Sequence, residues 1–138
     1  MWDKKDEWWK KGNGHLVVVK RHSIQPSNYI NDISDGLNRW TVYAYIYPDH
    51  PMFSQFDKNG PMYQEAANLL PLHGGPSYFE AHEHDGKITS YQIGADYNHL
   101  HDNRFTHIDT PEDVGGIGHF EVFIDAENLF EFLQNFKQ

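Results

Sequence analysis

The dipeptide Asp85-Gly86 constrains this chain more than any other feature, because it stands between two strand-like runs, residues 77 to 84 and 87 to 94. An Asp-Gly pair suits a two-residue type I′ turn, in which both central residues take positive φ, so the flanking runs are expected to zip into an antiparallel hairpin. Such a turn dictates a register in which His84 faces Lys87, His82 faces Thr89, Glu80 faces Tyr91 and Tyr78 faces Ile93. Carried to the base, the same count sets Gly75 against Asp96 and His73 against Asn98. The segments Leu72-His73-Gly74-Gly75 and Gly94-Ala95-Asp96-Tyr97-Asn98-His99 are thereby expected to meet, and function is sought at that meeting point.

Other elements follow from periodicity. Residues 15 to 22, with Leu16, Val17, Val18 and Val19 in a row, read as a buried strand because β-branched side chains suit a pleated sheet. Residues 40 to 47 alternate Trp40, Val42, Ala44 and Ile46 with Thr41, Tyr43, Tyr45 and Tyr47, which predicts a central strand covered on both faces and ended by Pro48 and Pro51. Between these strands, residues 23 to 38 are rich in turn formers, from Pro26 to Asn38, and read as a surface connection. Pro61 to Leu70 reads as a short helix closed by Pro71. Phe120, Val122 and Ile124 alternate like an edge strand over residues 119 to 124. Asp125 is the expected N-cap of a last helix that carries Leu129, Phe130, Leu133 and Phe136 at three- and four-residue spacing. Residues 1 to 14 are read as an N-terminal helix or arm. The expected fold is α+β, a mainly antiparallel sheet with a central hairpin, one short helix and a C-terminal helix, in a single domain over residues 1–138.

Composition narrows the function classes. Aromatic residues supply 15% of the chain against 38% hydrophobic in all, so an aromatic-rich core is expected. The formal charge of -9 repels a phosphate backbone and the eleven Lys and Arg residues form no long stripe, which argues against direct nucleic-acid binding. Without cysteine there is neither disulfide nor thiolate zinc site, so any metal must be held by His and carboxylate ligands. The opening residues mix Asp, Glu and Lys with Trp2, Trp8 and Trp9, unlike a secretory signal, and no apolar run approaches the roughly 20 residues that span a bilayer. A cytoplasmic protein with no membrane segment is expected.

Ten histidines in 138 residues draw attention, since imidazole titrates nearest neutrality and is the commonest metal ligand. His15, His22, His50, His107 and His119 stand alone in sequence and are read as surface or ordinary hydrogen-bonded residues. His82-Glu83-His84 puts two imidazoles on one strand face, but beside a turn where solvent is the expected neighbour. Asp96, His99 and Asp102 differ, because three-residue steps keep them within an arc of about 120° wherever the chain turns helically. The hairpin brings His73 to the same place. The resulting set of His73, Asp96, His99 and Asp102 suits a divalent metal ion such as Zn²⁺, Mn²⁺ or Fe²⁺. It also suits an Asp that fixes a His tautomer for acid–base work, or two aspartates that cap a turn while both histidines bond backbone groups. Gly74-Gly75 is too short to cradle phosphate and is read as letting the backbone approach the facing chain or a ligand.

At these residues the chain resembles a family of small phage and prophage proteins. The shared pattern is an aromatic strand with a proline-bearing turn, then His-Gly-Gly with a Thr-Tyr nearby, then Gly-Phe-Asp-x-x-His-x-x-Asp. The matching positions are Trp40 to Pro51, Leu72 to Tyr78 and Ile93 to Asp102, and the resemblance spans residues 40 to 136. Ala95 stands where the family has Phe, Pro76-Ser77 where it has an aliphatic-Thr pair, and the hairpin is longer than most, whereas the polar positions persist. The resemblance implies a viral or mobile-element setting, hence the host cytoplasm, and a common site at His73, Asp96, His99 and Asp102, without supplying a reaction. The leading expectation is an accessory protein that binds a small ligand, a nucleotide-type host-defence signal being the candidate, through His73, Gly74, Gly75, Asp96, His99 and Asp102 at the base of the 77–94 hairpin. The alternatives are a small metal-dependent hydrolase with a His/Asp site and an acidic inhibitor of a host defence nuclease, and a homo-oligomer is compatible with each.

Overall fold

Six strands pair into one antiparallel sheet in the computed structural model, which describes residues 1–4, 6–24 and 35–137. They are β1 (Asp3–Lys4), β2 (Trp8–Lys11), β3 (His15–Ser23), β4 (Asn38–Ile46), β5 (Tyr78–His84) and β6 (Lys87–Asp96), in the spatial order β1-β2-β3-β4-β6-β5. Two helices accompany them, α1 (Glu65–Asn68) and α2 (Glu121–Gln134), with short 3-10 turns between. The expected α+β class therefore holds. Of the connection expected over residues 23 to 38, residues 25 to 34 lie outside the described residues. No helix among the described residues is long and apolar enough to cross a membrane.

The hairpin turns where expected, with Asp85 and Gly86 at φ 52° and 77°, but its register departs from the count. His84 faces Lys87 as the turn requires, yet beyond a bulge between His82 and Glu83 the pairs are His82 with Ser90, Ala81 with Tyr91, Phe79 with Ile93 and Tyr78 with Gly94. Thr89 is the extra residue, and its hydroxyl donates to the His82 carbonyl at 3.2 Å. The physical cause is a conflict between turn and core. The turn's register would set Tyr91 against Glu80, whereas the shifted one sets Tyr91 against Ala81 and lets the Phe79 and Tyr91 rings stack at 5.8 Å. Burying apolar faces together outweighs one unpaired residue, and the bulge absorbs the mismatch.

Along one face of the sheet lie Val17, Val19, Trp40, Val42, Ala44 and Ile46, which form a core with Val122, Phe123, Ala126, Leu129 and Leu133 of α2. Trp8 and Trp40 meet at 5.6 Å, and Phe123 stands edge-on to Trp8 at 5.3 Å, so the core is aromatic as composition predicts. On the opposite face Tyr43 and Tyr45 are only half-buried, so β4 is central but not fully covered on both sides.

Three local expectations are corrected. The N-terminal residues form β1 and β2 rather than a helix or arm, because β3 offers a second edge to pair and Trp8 can then bury its ring. Residues 119 to 124 are not a strand: a 3-10 turn ends at His119 and α2 starts at Glu121, so Asp125 lies inside the helix instead of capping it. Val122, Phe123, Ala126 and Leu129 recur at helical spacing, and three alternating residues were too few to outweigh that longer period. The helix expected from Pro61 shrinks to Glu65–Asn68, because the Gln64 side chain turns back to bond Asp57.

Candidate functional site

His73 stands on a tight turn that follows α1, closed by Leu72 N–H to the Leu70 carbonyl at 2.9 Å and Gly75 N–H to the Leu72 carbonyl at 3.0 Å. Gly74 next to it has φ +71°, and a Cβ there would lie 2.8 Å from His99 Nε2. Only glycine combines that backbone with that approach, and what approaches Gly74 is the facing chain. Gly75, at φ +85°, would place a Cβ in open space. Across from them β6 ends at Asp96, and residues 99 to 102 close a turn of their own. Asp102 N–H donates to the His99 carbonyl at 3.0 Å, and its carboxylate accepts the His99 N–H at 2.9 Å.

Asp102 is the hub. His73 Nε2 lies 2.9 Å from each of its carboxylate oxygens, and His99 Nδ1 lies 3.2 Å from Oδ2. An ionised carboxylate only accepts, so both rings donate N–H to it. Burial alone would raise the Asp102 carboxyl, but the His99 backbone N–H and the His73 ring outweigh it and hold the group below its ordinary value. It is therefore a buried anion at neutral pH. The Tyr97 ring stacks on His73 at 4.2 Å and 13°, and its hydroxyl donates to Asp125 Oδ2 at 2.6 Å. Burial and then the Asp125 bond push the Tyr97 hydroxyl well up, so it stays protonated and fixes the ring that backs His73.

The four-residue set of the sequence becomes a trio. One ligand atom from each of His73, His99 and Asp102 lies within 4.8 Å of the others. Asp96 remains in β6, paired with Thr41, and its carboxylate is tied to the Asn98 N–H at 3.1 Å and the Ser77 hydroxyl at 3.4 Å. Its Oδ1 is 3.8 Å from His99 Nδ1, on the flank of the trio. The chain is still extended at residue 96 and turns only from 99, so the three-residue periodicity does not reach back that far. The expected pairing of His73 with Asn98 is replaced by a contact with His99, the rings 5.3 Å apart, in the direction of the bulge's one-residue shift. His82 and His84 do not form a chelating pair: the bulge starts between His82 and Glu83, His82 bonds Gln92 at 2.8 Å, and His84 sits beside Asp85.

Next to the trio opens a cavity of about 380 Å³ whose wall includes His99, Asp102, Tyr97, Arg39, Asp35 and His101. Arg39 and Tyr97 were not legible as site residues. Arg39 sits 63 positions before Asp102 with no shared motif, and Tyr97 lies inside the Asp96-to-His99 segment but reads as one aromatic among many. Chemically the trio offers two imidazoles and one carboxylate, of which His99 and Asp102 line the open space and His73 lies behind them, a donor set that suits Zn²⁺, Mn²⁺ or Fe²⁺ and leaves positions for water or a ligand. Compared with protein-family models, curated proteins and solved structures, the chain matches none.

Proposed function

We propose that this protein is a small metal-dependent hydrolase in which His73, His99 and Asp102 hold a divalent cation that activates water beside the adjoining cavity. The observation that carries this reading is the spacing of the donors. Ligand atoms about 2.0–2.2 Å from a tetrahedral ion stand roughly 3.3–3.6 Å apart. Asp102 has His73 Nε2 at 2.9 Å and His99 Nδ1 at 3.2 Å, and one ligand atom from each of the three residues lies within 4.8 Å of the others, so small side-chain shifts would gather the set around an ion. A cation would occupy the place those ring nitrogens now direct at the carboxylate, each neutral imidazole then carrying its single proton on the far nitrogen instead.

A second reading, capture of a small ligand without chemistry, is favoured by the cavity alone. Its volume of about 380 Å³ is near the low end of the roughly 300–1,000 Å³ range of ligand pockets. For a nucleotide-type host-defence signal a base would gain from an accessible aromatic face, and the Tyr97 ring in this wall is only 1% exposed, stacked on His73 and packed against Phe105. The metal reading is therefore preferred. Elemental analysis of the purified protein after dialysis against Zn²⁺ or Mn²⁺ tests it: one ion per chain, lost in His73→Ala and His99→Ala, is the expected result. A chain that takes up no ion from either solution sinks the proposal.

A further inference from the structure

The cavity's charges point to its ligand and to an order of binding. Among the described residues its ionisable wall residues, histidines aside, are Arg39, Asp35 and Asp102, so there two carboxylates stand against one guanidinium and that wall is net negative. Such a wall repels anions. A dication on the trio reverses the sign and, with neutral imidazoles as ligands, leaves a surplus positive charge beside Arg39. We infer that the cavity binds a compact oxyanion, carboxylate or phosphoryl, only once the cation is in place. This inference rests on the cation site proposed above.

Arg39 supplies the second half of the recognition. Its side chain is 12% exposed, and Nη1 is braced against the Gly36 carbonyl at 3.0 Å and the Asn38 carbonyl at 2.9 Å. Asp35 Oδ2 lies 4.0 Å from Nη2 and adds to that orientation. A guanidinium held this way has lost its rotamer freedom in advance, which favours recognition of a planar or tetrahedral oxyanion over a neutral molecule. The Asp35 carboxylate also accepts from the Asn103 amide, which ties the Arg39 side of the wall to the turn after Asp102. With about 380 Å³ to fill, the body attached to the oxyanion must be small.

Isothermal titration with inorganic phosphate and, separately, acetate tests this on the whole chain, once with Zn²⁺ bound and once in chelator. The Zn²⁺-loaded protein is expected to bind one of the two anions at least about tenfold more tightly than the chelated protein, and the preferred anion identifies the ligand group. Arg39→Gln is expected to keep the metal and lose that binding by about tenfold or more. Metal uptake with no anion binding, or with equal binding in chelator, overturns this inference and leaves the cation site standing. Absence of metal uptake overturns both. Should R39Q fail to fold by circular dichroism, the metal dependence of the unaltered chain decides, and R39K, which keeps the charge but not the fork, is expected to bind the anion more weakly than wild type.

Discussion

His15 with His50, and His73 with His99, are two histidine pairs whose rings lie edge-on at the same 5.3 Å separation, yet their surroundings differ completely. His15 and His50 are 1% and 4% exposed. His50 has both nitrogens occupied, Nε2 donating to the Leu133 carbonyl in α2 at 2.8 Å and Nδ1 accepting the Met52 N–H at 3.0 Å. His15 donates from Nδ1 to the Asn13 carbonyl at 3.2 Å, lies 4.9 Å from the Phe130 ring, and its buried Nε2 has no hydrogen-bond partner among the described residues. His15 is thus a hydrogen-bonded residue of the interior rather than of the surface, with one ring nitrogen left over. The first pair anchors α2 to the sheet. The second surrounds a carboxylate at the edge of a cavity. Spacing and residue type are common to both; an anion and an opening separate a packing pair from a candidate for chemistry.

The largest expected effect breaks the contrast at its centre. Asp102→Ala removes the acceptor for His73, His99 and the His99 N–H and should cost about 3 kcal/mol in urea denaturation; Asp102→Asn, which keeps one acceptor oxygen, should cost less. Both should lose metal uptake. Next, Gly12→Ala tests how tightly the packing pair is enclosed, because a Cβ at residue 12 would lie 2.3 Å from His15 Nε2; overpacking the buried ring should cost about 2 kcal/mol with the metal content unchanged. Gly74→Ala should cost about 1–2 kcal/mol, since the left-handed backbone disfavours a side chain, but here the His99 ring is pushed aside and metal content should fall. If G12A and G74A affected metal content alike, the division between the pairs would fail.

Acid should separate the pairs by pH. Burial lowers the His15 pKa from 6.5, the Asn13 bond opposing and His50 adding to the effect. The folded chain therefore resists the proton that the unfolded chain accepts, so this stability is complete above about pH 6.5 and drains away as pH falls below it towards the folded value. Asp102, held below the ordinary 3.8, contributes stability that is present above that value and is lost as pH falls through its folded pKa. Two acid steps are expected in a denaturation series from pH 7 to 2, with a slope of at most about 1.4 kcal/mol per pH unit for each proton. The smallest effect is His15→Phe at neutral pH, a change within about 1 kcal/mol because an unpartnered polar atom is removed. That variant should erase the upper step alone, and an upper step that survives it belongs to another group.

Local chemistry made much of this molecule legible. The Asp85-Gly86 reversal, β3, β4 and the 3.6-residue spacing of Leu129 and Leu133 all depend on neighbours a few positions away, and all were readable. The return of Asp102 to His99 was readable for the same reason, a three-residue step closing one turn. Legibility stops where a second element competes. Trp8 joined a strand because β3 had an edge to share, and Thr89 was excluded from its ladder because Phe79 and Ala81 had to face Ile93 and Tyr91.

The sequence by itself determined that two polar segments would be drawn to the hairpin base, since turn type and strand alternation are properties of the chain's own backbone and nearest side chains. Tertiary structure decided which residues meet there. Core burial shifted the register by one, brought His73 to His99 and left Asp96 on the flank, and the end of β4 delivered Arg39 to the same cavity. The reason is one of range: apolar burial sums over both faces of a contact and so depends on partners far away in the chain, which no local pattern encodes.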